Sequence, residues 1–96
     1  MRLRLTERAL HDLQGIEAVI EERNPAVLGN VMARITLAIN RLALFPNLGR
    51  PLKKRPNTRQ IAIAGLPFVI VYRFSDETVD VLTVFHTSQN PDNKVV

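Results

Sequence analysis

Apolar positions alternate at the N-terminus, recur at helical spacing from Ala9 to Leu42, and run almost unbroken through the last third of the chain. Arg2-Leu3-Arg4-Leu5 alternates polar and apolar residues, which predicts a short strand with one buried face at or near a sheet edge. Thr6 then caps a helix in which Ala9, Leu13, Ile16 and Ile20 form a stripe flanked by Leu10 and Val19. Glu7, His11, Asp12, Gln14, Glu21 and Glu22 take the remaining, solvent-facing positions. Gly15 inside this helix costs about 1 kcal/mol relative to Ala, and close approach of a neighbouring backbone is the expected compensation. Asn24 as N-cap and Pro25 at the first helical position predict a second helix running to about Phe45, ahead of Pro46. Its stripe of Leu28, Val31, Met32, Ile35, Ile39 and Leu42 makes it the core helix, and the tight connection predicts an antiparallel hairpin. Ala33, Leu37 and Leu44 fall on its far side near Asn30, Asn40 and Arg41, as scattered surface apolars or as a docking strip.

The run from Thr58 to Ser88 reads as three strands joined by two tight turns, and the preceding helices as cover for that sheet. Gln60–Ala64 is the first, ended by the turn chemistry of Gly65-Leu66-Pro67. Phe68–Phe74 is almost continuously apolar and rich in β-branched and aromatic residues, which marks a central strand covered on both faces. Ser75-Asp76-Glu77-Thr78 breaks it from a third strand, Val79–His86, in which Asp80 is the one carboxylate. Pro46–Pro51 is a turn-rich connection, and Leu52–Asn57 is a basic loop leading into the sheet. The tail 89–96 has no periodicity and is expected to be irregular. The fold class that follows is α+β: a short N-terminal strand and an antiparallel helix hairpin packed on a C-terminal three-strand antiparallel meander, in one domain spanning 1–96.

Length allows one modest core and no second, cofactor-sized lobe. Without cysteine there is no disulfide scaffold and no thiolate metal site. No apolar run suggests a leader peptide or a membrane span, so a cytoplasmic protein with no membrane partner is expected. The formal net charge of +4 is unevenly spread: no acidic residue lies between Glu22 and Asp76, an interval that holds Arg23, Arg34, Arg41, Arg50, Lys53, Lys54, Arg55, Arg59 and Arg73. Such a field suits an anionic partner or a nucleic-acid enzyme, although a basic loop is also an ordinary solvated surface. Lys53, Lys54 and Arg55 have the strongest claim to a functional role, since long cations on a Pro-bounded loop reach a partner without disturbing the core. Arg59 and Arg73 fit target binding or a structural ion pair with Asp80 or a helix carboxylate. His86, at a strand end, fits a hydrogen-bonded structural role better than that of a general base. No metal-ligand spacing, phosphate-cradling Gly loop or nucleophile motif occurs, so no metal or cofactor is expected and a conventional metabolic enzyme is disfavoured.

Three stretches in this order resemble the RelE/ParE superfamily of toxins from bacterial type II toxin–antitoxin systems, ParE more than RelE. They are Ala9–Ile16, the helix exit Leu42–Pro51, and Thr58–Ile61 with Pro67–Arg73 and Val84–His86. The resemblance implies a toxin held inactive by a cognate antitoxin whose arm wraps over it, with operator DNA bound only through the complex. Acidic and apolar side chains on that arm would suit the basic loop and the strip of Leu37, Arg41 and Leu44. Similarity to ParE implies inhibition of DNA gyrase by trapping its cleaved-DNA state, with Arg50, Lys53, Lys54, Arg55, Arg59, Arg73 and His86 as candidate target-binding residues and no catalytic group required. Similarity to RelE would imply a ribosome-dependent mRNA endonuclease. By register, the two phosphate-binding arginines of that type fall at Val69 and Thr87, and no tyrosine follows Tyr72. His86 with Arg59, Arg73, Lys53 and Lys54 would have to serve instead. ParE-like chains commonly carry an arginine three positions after the late histidine, where this chain has Gln89. The remaining alternative is an inactive superfamily member that only binds its antitoxin.

Overall fold

The computed structural model describes residues 1–89. Strand β1 (Arg2–Leu5) leads into helix α1 (Glu7–Arg23), a 3-10 turn (Pro25–Val27) and helix α2 (Leu28–Leu44). Strands β2 (Arg50–Pro51), β3 (Thr58–Ala62), β4 (Phe68–Phe74) and β5 (Thr78–His86) follow, ending in a 3-10 turn at Thr87–Gln89. All five strands form one sheet in the order β1-β5-β4-β3-β2, with β1 parallel to β5 and the other pairs antiparallel. The α+β class, the helix hairpin and the meander are as expected. The sheet gains a strand where a turn was expected, because Arg50 and Pro51 pair with Gln60 and Arg59. The expected irregular tail, beyond Gln89, lies outside the described residues.

Thr6 caps α1 by accepting from the Ala9 N–H at 3.0 Å. Asn24 does not cap the second helix through its side chain; its N–H closes α1 on the Ile20 carbonyl, and Pro25–Val27 wind as a 3-10 turn before α2 begins. Together Pro25–Leu44 are 20 residues with a mean hydropathy of 1.3, so, against the sequence expectation, one helix is long and apolar enough to cross a membrane. Here its stripe is committed to the sheet: Ile35, Ile39 and Leu42 are buried with Ile70, Tyr72, Val79, Val81 and Val84. Each such aliphatic side chain contributes about 1.5–3 kcal/mol when fully buried. Gly15 has no neighbouring atom within 4 Å of a Cβ, so the expected backbone approach is absent. Gly15→Ala is therefore expected to stabilise the fold by about 1 kcal/mol, read as a raised urea midpoint with an unchanged slope.

Asp12 also departs from expectation. A bulge in β5 sets Val71 opposite Thr83 and Tyr72 opposite Val81, skipping Leu82. Past the end of β1, the β5 edge is closed by side chains from the helix side. The Thr6 hydroxyl donates to the Leu82 carbonyl at 2.9 Å, and the Asp12 carboxylate accepts from the Val84 N–H at 3.1 Å and from the Thr83 hydroxyl. This carboxylate is a tertiary cap for a strand edge, not part of a solvated helix face.

Candidate functional site

The basic loop is a folded hairpin end. Leu52 donates to the Thr58 carbonyl at 2.9 Å, Arg55 to Leu52 at 3.3 Å and Thr58 to Arg55 at 3.2 Å. Asn57 turns the chain with φ 60°, a conformation that Asn tolerates better than most residues. Lys53, Lys54 and Arg55 are exposed on this frame, and no carboxylate pairs with them among the described residues. Behind them lies a recess of about 360 Å³ whose lining includes Lys53, Arg55, Arg59, the two prolines Pro51 and Pro56, and Phe74.

Arg59 lines this recess and forms no ion pair among the described residues. Its Nη1 donates to the Gly49 carbonyl at 2.7 Å and reaches the Asn47 carbonyl at 3.5 Å, and its guanidinium lies 5.6 Å from the Phe74 ring centroid. Asp80, one of the carboxylates that could have paired with it, lies on the other face of the sheet in a fork with Arg4 at 2.7 and 3.1 Å. That bond holds the Asp80 carboxyl below the usual carboxylate range against the opposing effect of its burial. Arg73 lies across the strands from Asp80 and favours its ionised form, but forms no ion pair with it.

The loop Pro46–Arg50 is fixed by Tyr72. Its buried hydroxyl donates to the Pro46 carbonyl at 2.7 Å and accepts from the Gly49 N–H at 2.8 Å. Burial raises the phenol above its ordinary value, while the Gly49 bond and Arg59 pull the other way. Tyr72 therefore stays neutral and keeps its donor proton near neutral pH. Arg50 sits on the opposite side of the sheet edge from Arg59, with its Nη2 and Nε 2.8 and 3.2 Å from the Gln60 amide oxygen once that amide is turned to face it.

His86 is elsewhere. It pairs with Phe68 at the far end of β4, its ring stands edge-on to Phe68 at 5.6 Å, and its Nδ1 is bonded by Ser88 through N–H at 3.1 Å and Oγ at 2.8 Å. Arg59 pairs with Tyr72 and Arg73 follows, four and five residues along the same strand. At about 3.4 Å per residue this puts roughly 14–17 Å between His86 and either arginine along the sheet. Strand alternation also sends Arg59 and Arg73 to opposite faces. The fold therefore brings Lys53, Lys54, Arg55 and Arg59 together, sets Arg50 and Arg73 on the other face, and isolates His86.

The second candidate surface is on α2. Leu37, Arg41 and Leu44 follow helical spacing on one exposed stripe, with Leu37 61% and Leu44 72% accessible. Phe45 and Leu48, both exposed, carry apolar surface on past the helix end and were missed by the sequence reading. Their signal was present in Leu44-Phe45-Pro46-Asn47-Leu48, an apolar pair around a proline in a segment too short for periodicity. Arg34, by contrast, is occupied in holding the β3–β4 turn through the Ala64 carbonyl at 2.6 Å.

Residues 3–91 match the family described as "ParE toxin of type II toxin-antitoxin system, parDE". A curated relative from Sinorhizobium fredii, "Putative toxin Y4kP", is 42% identical over 88 residues, covering 92% of this chain and 90% of the relative. Among solved structures, the chromosomal ParDE system of P. aeruginosa superposes with a TM-score of 0.79 at 22% identity, covering 90% of this chain and 95% of that one. The RelBE2 toxin–antitoxin complex of Mycobacterium tuberculosis gives 0.59 at 28% identity, with 88% of each chain covered. The isolated E. coli RelE toxin gives 0.57 at 16% identity, covering 99% of this chain and 98% of that one.

Proposed function

The chain belongs to the ParE toxin family of type II toxin–antitoxin systems, and from that premise we propose that it inhibits DNA gyrase and is neutralised by a cognate antitoxin. One observation carries the choice of mechanism. Among the described residues no carboxylate or histidine lines the recess these cations form, and His86 stands roughly 14–17 Å away along the sheet. Cleavage of RNA needs a base at the 2′-hydroxyl and cations on the same phosphate; binding an anionic surface needs only the cations. Lys53, Lys54 and Arg55 on their folded loop, with Arg59 behind them, meet the second requirement and not the first.

The antitoxin reading draws support from the relatives solved as toxin–antitoxin systems, ParDE and RelBE2. On this chain the α2 strip of Leu37, Arg41 and Leu44, extended by Phe45 and Leu48, offers apolar surface beside a cation, which suits an amphipathic acidic arm. The proposed site of action is cytoplasmic. A supercoiling assay with purified gyrase, relaxed plasmid and ATP tests the reading. Titrated antitoxin-free toxin is expected to block supercoiling and to leave linear DNA after detergent and protease treatment. Full supercoiling in the presence of folded toxin would overturn the gyrase target.

A further inference from the structure

The recess beside the basic loop offers more than charge. Arg59 and Phe74 reach it from adjacent strands: Arg59 stands opposite Tyr72, and Phe74 lies two residues beyond Tyr72 on the same face of β4. The Arg59 guanidinium is held in place by its bond to the Gly49 carbonyl at 2.7 Å and by the Phe74 ring, 5.6 Å away. Its carbonyl contacts all run through Nη1, so Nη2 and Nε have no partner among the described residues. Lys53 and Arg55 line the same recess from the loop, and among the described residues no carboxylate does. The remaining walls are largely apolar, with half-buried Phe74 beside Pro51 and Pro56. At about 360 Å³ the space falls within the range of small-molecule sites, roughly 300–1,000 Å³.

We infer that this recess takes one unstacked nucleotide of a single DNA strand, its base against Phe74 and the prolines and its phosphate on Arg59, Lys53 and Arg55. Cations alone would suit any anion. A fixed guanidinium beside a flat apolar wall selects among anions, because a nucleotide carries a planar ring next to its phosphate and every base has a face that stacks on an aromatic side chain. An aspartate or glutamate side chain would satisfy the cations and leave the ring and the prolines facing water. A base inside a duplex has to unpair and unstack before it can enter such a space. The choice of DNA rests on the gyrase reading, whereas the site is tested on the isolated toxin. A toxin that binds the strand but spares gyrase therefore loses only the gyrase target, and one that inhibits gyrase without binding the strand loses only the site.

Fluorescence anisotropy of a short labelled oligothymidine, titrated with folded, antitoxin-free toxin at about 0.15 M salt, is the measurement. The strand is expected to bind, and the same sugar–phosphate chain without bases to bind about tenfold more weakly. Pairing the strand with its complement should weaken binding by a similar factor. Phe74→Leu keeps apolar bulk without a ring; it should lose about tenfold for oligothymidine and nothing for the abasic chain, which separates a lost base contact from a damaged fold. Arg55→Gln should flatten the salt dependence by about 0.7 in logarithmic slope, the share of one phosphate contact on a single strand. Equal affinity for the abasic chain would overturn the proposal, as would an acidic peptide of matched charge competing as well as the strand. Oligouridine bound more tightly than oligothymidine would overturn DNA as the source of the nucleotide.

Discussion

Gly49→Ala is expected to be among the most damaging single substitutions in this chain, at about 2–5 kcal/mol, although it adds one methyl group. A Cβ at position 49 would lie 2.7 Å from the Tyr72 hydroxyl and 2.8 Å from both the Tyr72 Cε1 and the Gln60 carbonyl oxygen. Neither neighbour can give way. Tyr72 is fully buried in the core, and Gln60 belongs to the β2–β3 ladder. The methyl must push β2 off the sheet or displace the tyrosine, and either breaks the bonds from Tyr72 to Pro46 and Gly49. Tyr72→Phe isolates the second half of that cost, because it leaves the buried Gly49 N–H without its acceptor, for about 1–3 kcal/mol. In a domain of this size each kcal/mol corresponds to roughly 4–8 °C in Tm. The double variant is expected to be less stable than either single one but less destabilised than their sum, since both remove the same hydrogen bond while the contacts with Cε1 and the Gln60 carbonyl persist. Urea unfolding of the four proteins checks this, and a Gly49→Ala midpoint equal to wild type would sink the argument. The loop Pro46–Arg50 precedes the basic recess and carries Leu48, so the same variant should also weaken whatever binds there.

The parts of the fold legible in the sequence are those that a period writes. The stripe Leu28 to Leu42 and the dense run Phe68–Phe74 each repeat a burial rule several times over, so one exception does not hide them. Two residues repeat nothing, and Arg50–Pro51 became a strand only because Gln60 and Arg59 lie beside them. Partner choice was equally invisible. Asp80 binds Arg4 across 76 positions of sequence through a parallel pairing that no local signal announces, while Arg59, on the opposite face of the sheet, holds the Gly49 carbonyl. Asp12 turned inward because a bulge and the early end of β1 left the Val84 N–H to be satisfied. For the candidate site, the basic loop could be read from composition, whereas its separation from His86 depends on which residues face each other in the meander. The separation follows directly from the antiparallel register once that is known, and it is what divides an anion-binding reading from a catalytic one.

Reversing the charge of the loop should abolish toxicity while leaving the fold intact. Lys53→Glu with Lys54→Glu changes two exposed side chains that form no ion pair among the described residues, so stability should stay within about 0.5 kcal/mol of wild type. The effect on the field is much larger. The formal net charge of +4 falls to neutrality, and two carboxylates appear beside a recess in which Arg55 and Arg59 had no acid to oppose them. For an anionic target this replaces attraction by repulsion at contact range, where long-range steering also operates, and about a hundredfold loss of supercoiling inhibition is expected. Lys53→Gln with Lys54→Gln removes attraction without adding repulsion and should fall between the two. Because exposed charges are screened over about 8–10 Å at ordinary ionic strength, inhibition by the wild type should weaken as salt is raised, and inhibition by the glutamine variant should weaken less steeply. Killing and gyrase inhibition retained by the glutamate variant would remove the loop from the target interface. A loss shared equally by the glutamine and glutamate variants, with no salt dependence, would mean that the lysines act through their stems and not through their charge.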